Sequence, residues 1–122
     1  IAEKIIERAI RAGIKQEDVI IDPLAMAVSA DPRACIVTLE TIRLVHQKLG
    51  NNITLGASNI SFGLPDRESL NAAFMAMSIY NGLSCPIANP EKITAIVRAA
   101  DLLLGRDDYA VRFVDHFQRK QL

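Results

Sequence analysis

Three places in the sequence put polar residues directly after a short apolar run. Asp22 follows residues 19–21, a polar stretch at 56–61 follows a second run, and Asn89 follows a third. Alternation of such runs with helical patterns predicts a parallel sheet, in which ligands bind at the carboxyl ends of the strands. We therefore expect the three places to lie around one binding site.

Each of these polar residues has a chemical use and a structural alternative. The carboxylate of Asp22 could accept two parallel hydrogen bonds from an N–H/NH₂ edge such as a 2-aminopyrimidinone or a guanidinium, or it could cap nearby backbone amides. The amide of Asn59 can donate and accept, which suits a ligand whose protonation changes during a reaction, or it could stabilise a turn. Asn89 precedes Pro90 and has a strong structural explanation as a helix N-cap.

The elements that must position these residues repeat along the chain. Short strands, roughly 30 to 35 residues apart as in a βα repeat, are predicted at 19–21, 53–56 and 84–88. Helical patterns, each closed by a glycine, are predicted at 2–12, 31–49, 66–80 and 89–104. The second helix is expected to begin with Asp31 as N-cap and Pro32 at the first helical position. A last amphipathic segment places on one face Tyr109, Phe113, Val114 and Phe117.

These elements predict the α/β class, because helix–strand alternation gives parallel strands joined by right-handed crossovers. Three strands are too few to close a sheet with both faces covered. A complete (β/α)8 barrel takes about 250 residues, so the 122 residues of this chain correspond to about half of one. The helix at 66–81 is apolar almost all round, which predicts that something covers its outer side. A small three-stranded α/β domain is the alternative.

Composition and charge exclude several classes of function. Fourteen Lys and Arg balance fourteen Asp and Glu without a basic block, which argues against nucleic acid or an acidic membrane as the ligand. No apolar run has the roughly 18 residues of a membrane span. Cys35 and Cys85 lack metal-ligand spacing, so neither a zinc site nor a disulfide framework is predicted, and a cytoplasmic location is expected. The first residue is Ile1, from which we expect the chain to begin inside a longer protein.

The residues after the second strand carry a resemblance to a known family. The run GASNISFGLPDR, with IDPL upstream and GLSCPIANP downstream, resembles the pterin-binding domain of the methyltetrahydrofolate:corrinoid methyltransferases. These include the corrinoid/iron-sulfur protein methyltransferase and the folate domain of cobalamin-dependent methionine synthase. The resemblance covers essentially the whole chain and implies that residues 1–122 are the C-terminal half of a (β/α)8 TIM barrel. The basic motifs of the related dihydropteroate synthases do not occur here.

The resemblance also implies roles for individual residues. Asp22 matches the Asp that binds the amino-pyrimidinone edge of the pterin, and Asn59 matches the catalytic Asn that reaches toward N5 of the folate. Arg67 matches an Arg beside the substrate, although an exposed helical Arg is its structural alternative. Phe62 stands where the corrinoid enzyme has a polar residue, which puts any hydrogen bond of that side chain in doubt. We also expect Gly56, Ser58 and Asn89 to bind the substrate. Gly56 could allow close approach of the backbone to the ligand, or it could be a turn glycine.

The implied reaction is transfer of the N5-methyl group of methyltetrahydrofolate to the cobalt of a corrinoid carried by a partner protein or domain. The family also uses an Asp and an Asn from earlier strands, so we expect this chain alone to be inactive. It should associate with the missing N-terminal half of the barrel or with itself as a homodimer. A non-catalytic pterin-binding or assembly module, another pterin-dependent transferase such as a dihydropteroate synthase relative, and a purely structural α/β piece stay open. His46 and His116 receive no catalytic role.

Overall fold

The computed structural model describes residues 1–121. Five α-helices are formed in this range: α1 (Ala2–Arg11), α2 (Ala34–Leu49), α3 (Arg67–Asn81), α4 (Pro90–Leu103) and α5 (Val111–Lys120). The two strands are β1 (Thr54–Gly56) and β2 (Cys85–Ile87), and 3₁₀ turns lie at Gln16–Asp18, Ala57–Ser61 and Asp108–Ala110. None of these helices is both long and apolar enough to cross a membrane.

A small parallel sheet brings the three predicted strand regions side by side. β1 pairs with β2, with Thr54 opposite Cys85. Ile21 adds an isolated parallel bridge to Ile53, and the amide of Thr54 donates to the carbonyl of Ile21 at 2.9 Å. The prediction of a strand across 19–21 is wrong. Within residues 1–121 only Ile21 pairs, because the carbonyl of Val19 accepts the side-chain amide of Asn51 at 2.9 Å in place of a strand partner, and Ile20 is 52% exposed.

The helix predictions hold within a residue or two, apart from the start of α2. Asp31 is not the N-cap of this helix, which begins at Ala34. Its side chain accepts a hydrogen bond from the amide of Arg33 at 2.9 Å, and its carbonyl accepts from the amide of Ala34 at 3.0 Å. Asp31 therefore closes a turn just before the helix, as Asp often does when it bonds to the amide two residues on. At the other end, Gly50 adopts a left-handed conformation and terminates α2 as predicted.

The apolar core lies between the sheet and the inner faces of α2 and α3. Its most deeply buried side chains are Ile42, Ile53, Leu55, Phe74 and Met75. Burial of a large apolar side chain stabilises a fold by roughly 1.5–3 kcal/mol, so α3 is fixed firmly by its inner face. On its outer face, Met77 and Tyr80 remain exposed, at the surface that the sequence predicts to need a cover.

The apolar residues of the C-terminal segment are largely exposed. Tyr109 is 99% exposed and lies outside α5, so the prediction that it shares a helical face is wrong. Its φ of 57° takes the chain out of the helical conformation just before the helix begins. Phe113, Val114 and Phe117 do lie in α5 and are also exposed.

The start of α5 is held by a buried carboxylate. Asp107 is 6% exposed, and its two oxygens accept the amides of Arg112 and Phe113, each at 2.9 Å. The pKa of Asp107 lies below its ordinary value, mainly because of the hydrogen bond from the Arg112 amide. Burial of the carboxylate acts in the opposite direction. Between cap and helix, Tyr109 and Ala110 have positive φ. We infer that the charged cap offsets the strain of this turn.

We predict that Asp107 makes stability depend on pH at the acid end. A carboxylate with a depressed folded pKa contributes stability above its unfolded pKa, about 3.9, and this contribution is lost as the pH falls through the folded value. Asp107→Asn should therefore lower the melting temperature near pH 7 by much more than near pH 3. Circular dichroism melts across this range measure the difference, with the exposed Asp108→Asn as control. An equal deficit at both pH values would contradict the assignment.

Candidate functional site

Asp22 lies one residue beyond the Ile21 bridge, at the carboxyl end of this strand position. One carboxylate oxygen accepts the amide of Leu24 at 2.9 Å. Leu24 has a φ of 65°, and its carbonyl accepts the hydroxyl of Thr38 from α2 at 3.2 Å. One oxygen of Asp22 thus caps a backbone amide, which was the structural alternative for this residue. The second oxygen has no hydrogen bond to any residue of the described chain, so the exposed carboxylate can still accept from a ligand.

Asn59 lies in the 3₁₀ turn Ala57–Ser61, directly after β1. Its carbonyl accepts the amide of Phe62 at 3.2 Å, so its backbone closes the turn. Its exposed side-chain amide has no hydrogen bond within residues 1–121. The backbone of Asn59 therefore stabilises the turn, which was the structural alternative for this residue. Its side chain remains available to donate to or accept from a ligand.

Arg67, the first residue of α3, points its guanidinium back at this turn. Its Nε donates to the hydroxyl of Ser61 at 2.9 Å, and its Nη2 donates to the carbonyl of Ser58 at 2.8 Å. The Ser61 hydroxyl lies 2.7 Å from Oδ1 of Asn71 and 3.2 Å from the carbonyl of Ser58, and either of these can accept its proton. Arg67 is exposed, but two of its donors are committed to the protein, which leaves its other N–H groups for any ligand.

The two loops that carry Asp22 and Asn59 are hydrogen-bonded to each other. The amide of Val28 donates to the carbonyl of Ile60 at 3.1 Å, and the hydroxyl of Ser29 donates to the carbonyl of Phe62 at 2.7 Å. The position of Asn59 is thereby coupled to the loop that begins at Asp22. The side chain of Phe62 is exposed beside this junction.

The other predicted site residues line a neighbouring cleft of about 650 Å³ between α3 and α4. Ser58, Arg67 and Asn89 contribute to its wall, whereas Asp22 and Asn59 do not. Asn89 caps α4, because its side chain accepts the amide of Glu91 at 3.0 Å, and this confirms the structural explanation of that residue. The six predicted residues therefore form two groups: the strand-end pair with Gly56, and the cleft group.

Three residues in these networks carry no role in the sequence prediction. Ser29 ties the loops, while Ser61 and Asn71 connect Arg67 to α3. Ser61 lies within the SNIS run that carries the family resemblance, which is a usable signal. Ser29 lies between Val28 and Ala30, and Asn71 between Leu70 and Ala72. Nothing in these local sequences distinguishes the two residues from solvent-facing polar residues.

Cysteine and histidine side chains show packing roles. Cys35 and Cys85 are free thiols, and burial raises the pKa of Cys35, which disfavours its reactive thiolate. His46 packs on Gly82, where an added Cβ would lie 2.5 Å from its ring carbon Cγ. In the described part of the chain, no three His, Cys, Asp or Glu side chains cluster closely enough to hold a metal ion.

Parallel strand ends, hydrogen-bonded loops and polar groups without partners are features that small-molecule sites of α/β proteins share. The family profile for pterin binding enzymes matches residues 1–89, and the chain belongs to this family. It is 28% identical over 127 aligned positions to the methylcorrinoid:tetrahydrofolate methyltransferase of Eubacterium limosum. That alignment covers 100% of this chain and 46% of the relative, so the chain spans less than half the relative's length. The resemblance seen in the sequence is confirmed.

We predict that Gly56→Ala separates ligand binding from stability. The φ of Gly56 is −77°, and within 4 Å an added Cβ would meet only Nδ2 of Asn59, at 3.8 Å. The fold should accept the change, with a gain of about 0.4–1 kcal/mol from a stiffer unfolded chain. The methyl group would occupy space beside the Asn59 amide, so pterin affinity should fall about tenfold. Calorimetric titration and thermal melts of the protein that carries this chain test both statements, and unchanged affinity would show that the ligand does not approach Gly56.

Proposed function

We propose that this chain is the C-terminal part of a barrel that transfers a methyl group between N5 of tetrahydrofolate and the cobalt of a corrinoid carried by a partner. One observation carries the proposal: Asp22 and Asn59 follow neighbouring parallel strand positions, on loops bonded to each other, and both keep polar atoms available to a ligand. Membership of the pterin binding enzymes and the similarity to a methylcorrinoid:tetrahydrofolate methyltransferase support it.

The half-barrel arrangement rests on the order and the open edge of the strands. Ile21, β1 and β2 lie side by side in chain order, as consecutive strands of a (β/α)8 barrel do. The far edge of the Ile21 segment and the outer face of α3 are exposed. We infer that the remaining strands belong to a further segment of the protein, to a complementary chain, or to a second copy of this chain.

Asp22 is the proposed anchor of the pterin. Its unbonded oxygen, together with the second lone pair of the oxygen that accepts from Leu24, presents a planar pair of acceptors. The N–H and NH₂ groups on the pyrimidinone edge of a pterin match this pair. Hydrogen bonds to a carboxylate are charge-assisted and contribute more than neutral ones. The carboxylate therefore fits a pterin without rearrangement of its own loop.

Asn59 is the proposed catalytic residue. N5 takes a proton from solvent, the electron pair of the N5–carbon bond returns to N5 to leave a neutral secondary amine, and cobalt(I) supplies the pair for the new bond to carbon. A tertiary amine leaves poorly unless N5 gains positive charge, so a hydrogen bond that strengthens as charge develops lowers the barrier. The unpartnered amide of Asn59 can turn its oxygen toward a protonated N5. The Eubacterium protein is named for the opposite direction, and the same contact would serve both directions because they share one transition state.

A non-catalytic pterin-binding or assembly module is the second candidate. One observation favours it: the acceptor pair of Asp22, which would bind the pterin edge, is formed within residues 1–121. Such a module would keep the Asp22 contact and need no corrinoid. Methyl transfer to added cobalamin in its cobalt(I) state separates the two candidates, since only the methyltransferase forms methylcobalamin.

We predict that Asn59→Ala slows chemistry without weakening pterin binding. Loss of a single electrostatic contact of this kind costs about 3 kcal/mol of transition-state stabilisation, or a factor of about 100 to 1,000 in kcat. The test is methyl transfer to cob(I)alamin, followed by its visible spectrum, in the protein that carries this chain. Asn52→Ala, at the opposite end of the strand from Asn59, is the control and should retain wild-type turnover. A variant of Asn59 that loses affinity but keeps kcat would overturn the catalytic assignment.

A further inference from the structure

Arg67 donates hydrogen bonds to residues on both sides of Asn59 in the chain. Nη2 holds the carbonyl of Ser58, which belongs to the peptide group whose nitrogen is that of Asn59. Nε holds the hydroxyl of Ser61, two residues beyond Asn59. The carbonyl of Asn59 itself accepts from Phe62. Both peptide groups that flank the Cα of Asn59 are therefore fixed by hydrogen bonds.

A buried serine connects these hydrogen bonds to helix α3. Ser61 is 0% exposed, and its hydroxyl accepts from Arg67. Its proton has two acceptors within reach, Oδ1 of Asn71 in the second turn of α3 at 2.7 Å and the carbonyl of Ser58 at 3.2 Å. The same helix is packed into the core through Phe74 and Met75. A continuous path of close contacts thus runs from the core through α3 to the backbone of Asn59.

The path ends at a side chain that has no partner of its own. The amide of Asn59 is exposed and makes no hydrogen bond to the rest of the described chain. The hydrogen bonds fix the backbone from which this amide projects, and a fixed point of attachment limits the positions that the amide can reach when a ligand is bound. The network is therefore built around the orientation of Asn59.

We propose that Arg67, Ser61 and Asn71 act as positioning residues, which set the placement of the Asn59 amide relative to N5. This inference rests on the proposed function. It changes the role expected for Arg67, from a substrate contact to a support of the turn that carries Asn59. Lys cannot replace Arg in this role, since a single ammonium cannot reproduce the planar pair of donors on Nε and Nη2.

The Ser61→Ala variant distinguishes a residue that positions Asn59 from one that contacts the substrate. Ser61 is fully buried, so its removal deletes no contact with a ligand. A displacement of about 1 Å in a catalytic group can cost about a hundredfold in rate. We expect Ser61→Ala and Arg67→Lys each to lower kcat about tenfold to a hundredfold, with KM for methyltetrahydrofolate changed less than about threefold. Methyl transfer to cob(I)alamin by the protein that carries this chain provides both values.

The decisive comparison repeats both substitutions in the Asn59→Ala background. A residue that acts through Asn59 has nothing left to position there, so kcat should fall no further. A general structural defect would lower kcat equally in both backgrounds and would overturn the inference. Ser78→Ala is the matched control, because Ser78 is also a fully buried serine, but its hydroxyl has no hydrogen-bond partner in the described chain. It should keep wild-type kcat.

The outcomes also separate this inference from the function on which it rests. Asn59→Ala with wild-type turnover would refute the catalytic assignment itself. A slow Asn59→Ala beside a wild-type rate for both Ser61→Ala and Arg67→Lys would refute only the positioning role. If Ser61→Ala does not fold, Arg67→Lys still decides, since its side chain is exposed and the core does not depend on it.

Discussion

The parallel pairing of Ile21 with Ile53, and of β1 with β2, determines where the polar groups of the site lie. Parallel strands end at the same edge of a sheet, so residues that directly follow them are brought together although they are more than 30 positions apart in the chain. The loops that carry Asp22 and Asn59 owe their contact to this register. A shift of one residue in either pairing would turn the strand residues to the opposite face and change the loops that follow.

The loops beyond these strands combine fixed backbone with unpaired side-chain atoms. One oxygen of Asp22 accepts the amide of Leu24, whose φ is positive, and the other oxygen remains available. Asn59 is held only through its backbone. Such an arrangement costs stability locally, and the packed inner face of α3 compensates for it. The open strand edge and the exposed outer helix faces support the proposal that further strands complete the site.

Local sequence signals were enough to predict much of this arrangement. Alternating apolar runs and helical patterns located the helices and the two strands, and the Asn-Pro pair identified Asn89 as a cap. Features that depend on distant parts of the chain were not predictable. The pairing of residue 21 alone, the Ser29 tie and the Arg67–Ser61–Asn71 network join residues brought near by tertiary folding. The cap by Asp107 was missed because a left-handed turn separates it from the helix it stabilises.

Binding of the pyrimidinone edge of a pterin by the Asp22 carboxylate can be measured by calorimetric titration with methyltetrahydrofolate. Asp22→Asn, in the protein that carries this chain, keeps an oxygen for Leu24 but replaces the other with a donor. The account predicts a loss of affinity of about tenfold to a hundredfold, from charge-assisted hydrogen bonds of about 1.5–3 kcal/mol. Asp31→Asn, at another turn aspartate, should bind normally. Wild-type affinity in Asp22→Asn would contradict the account.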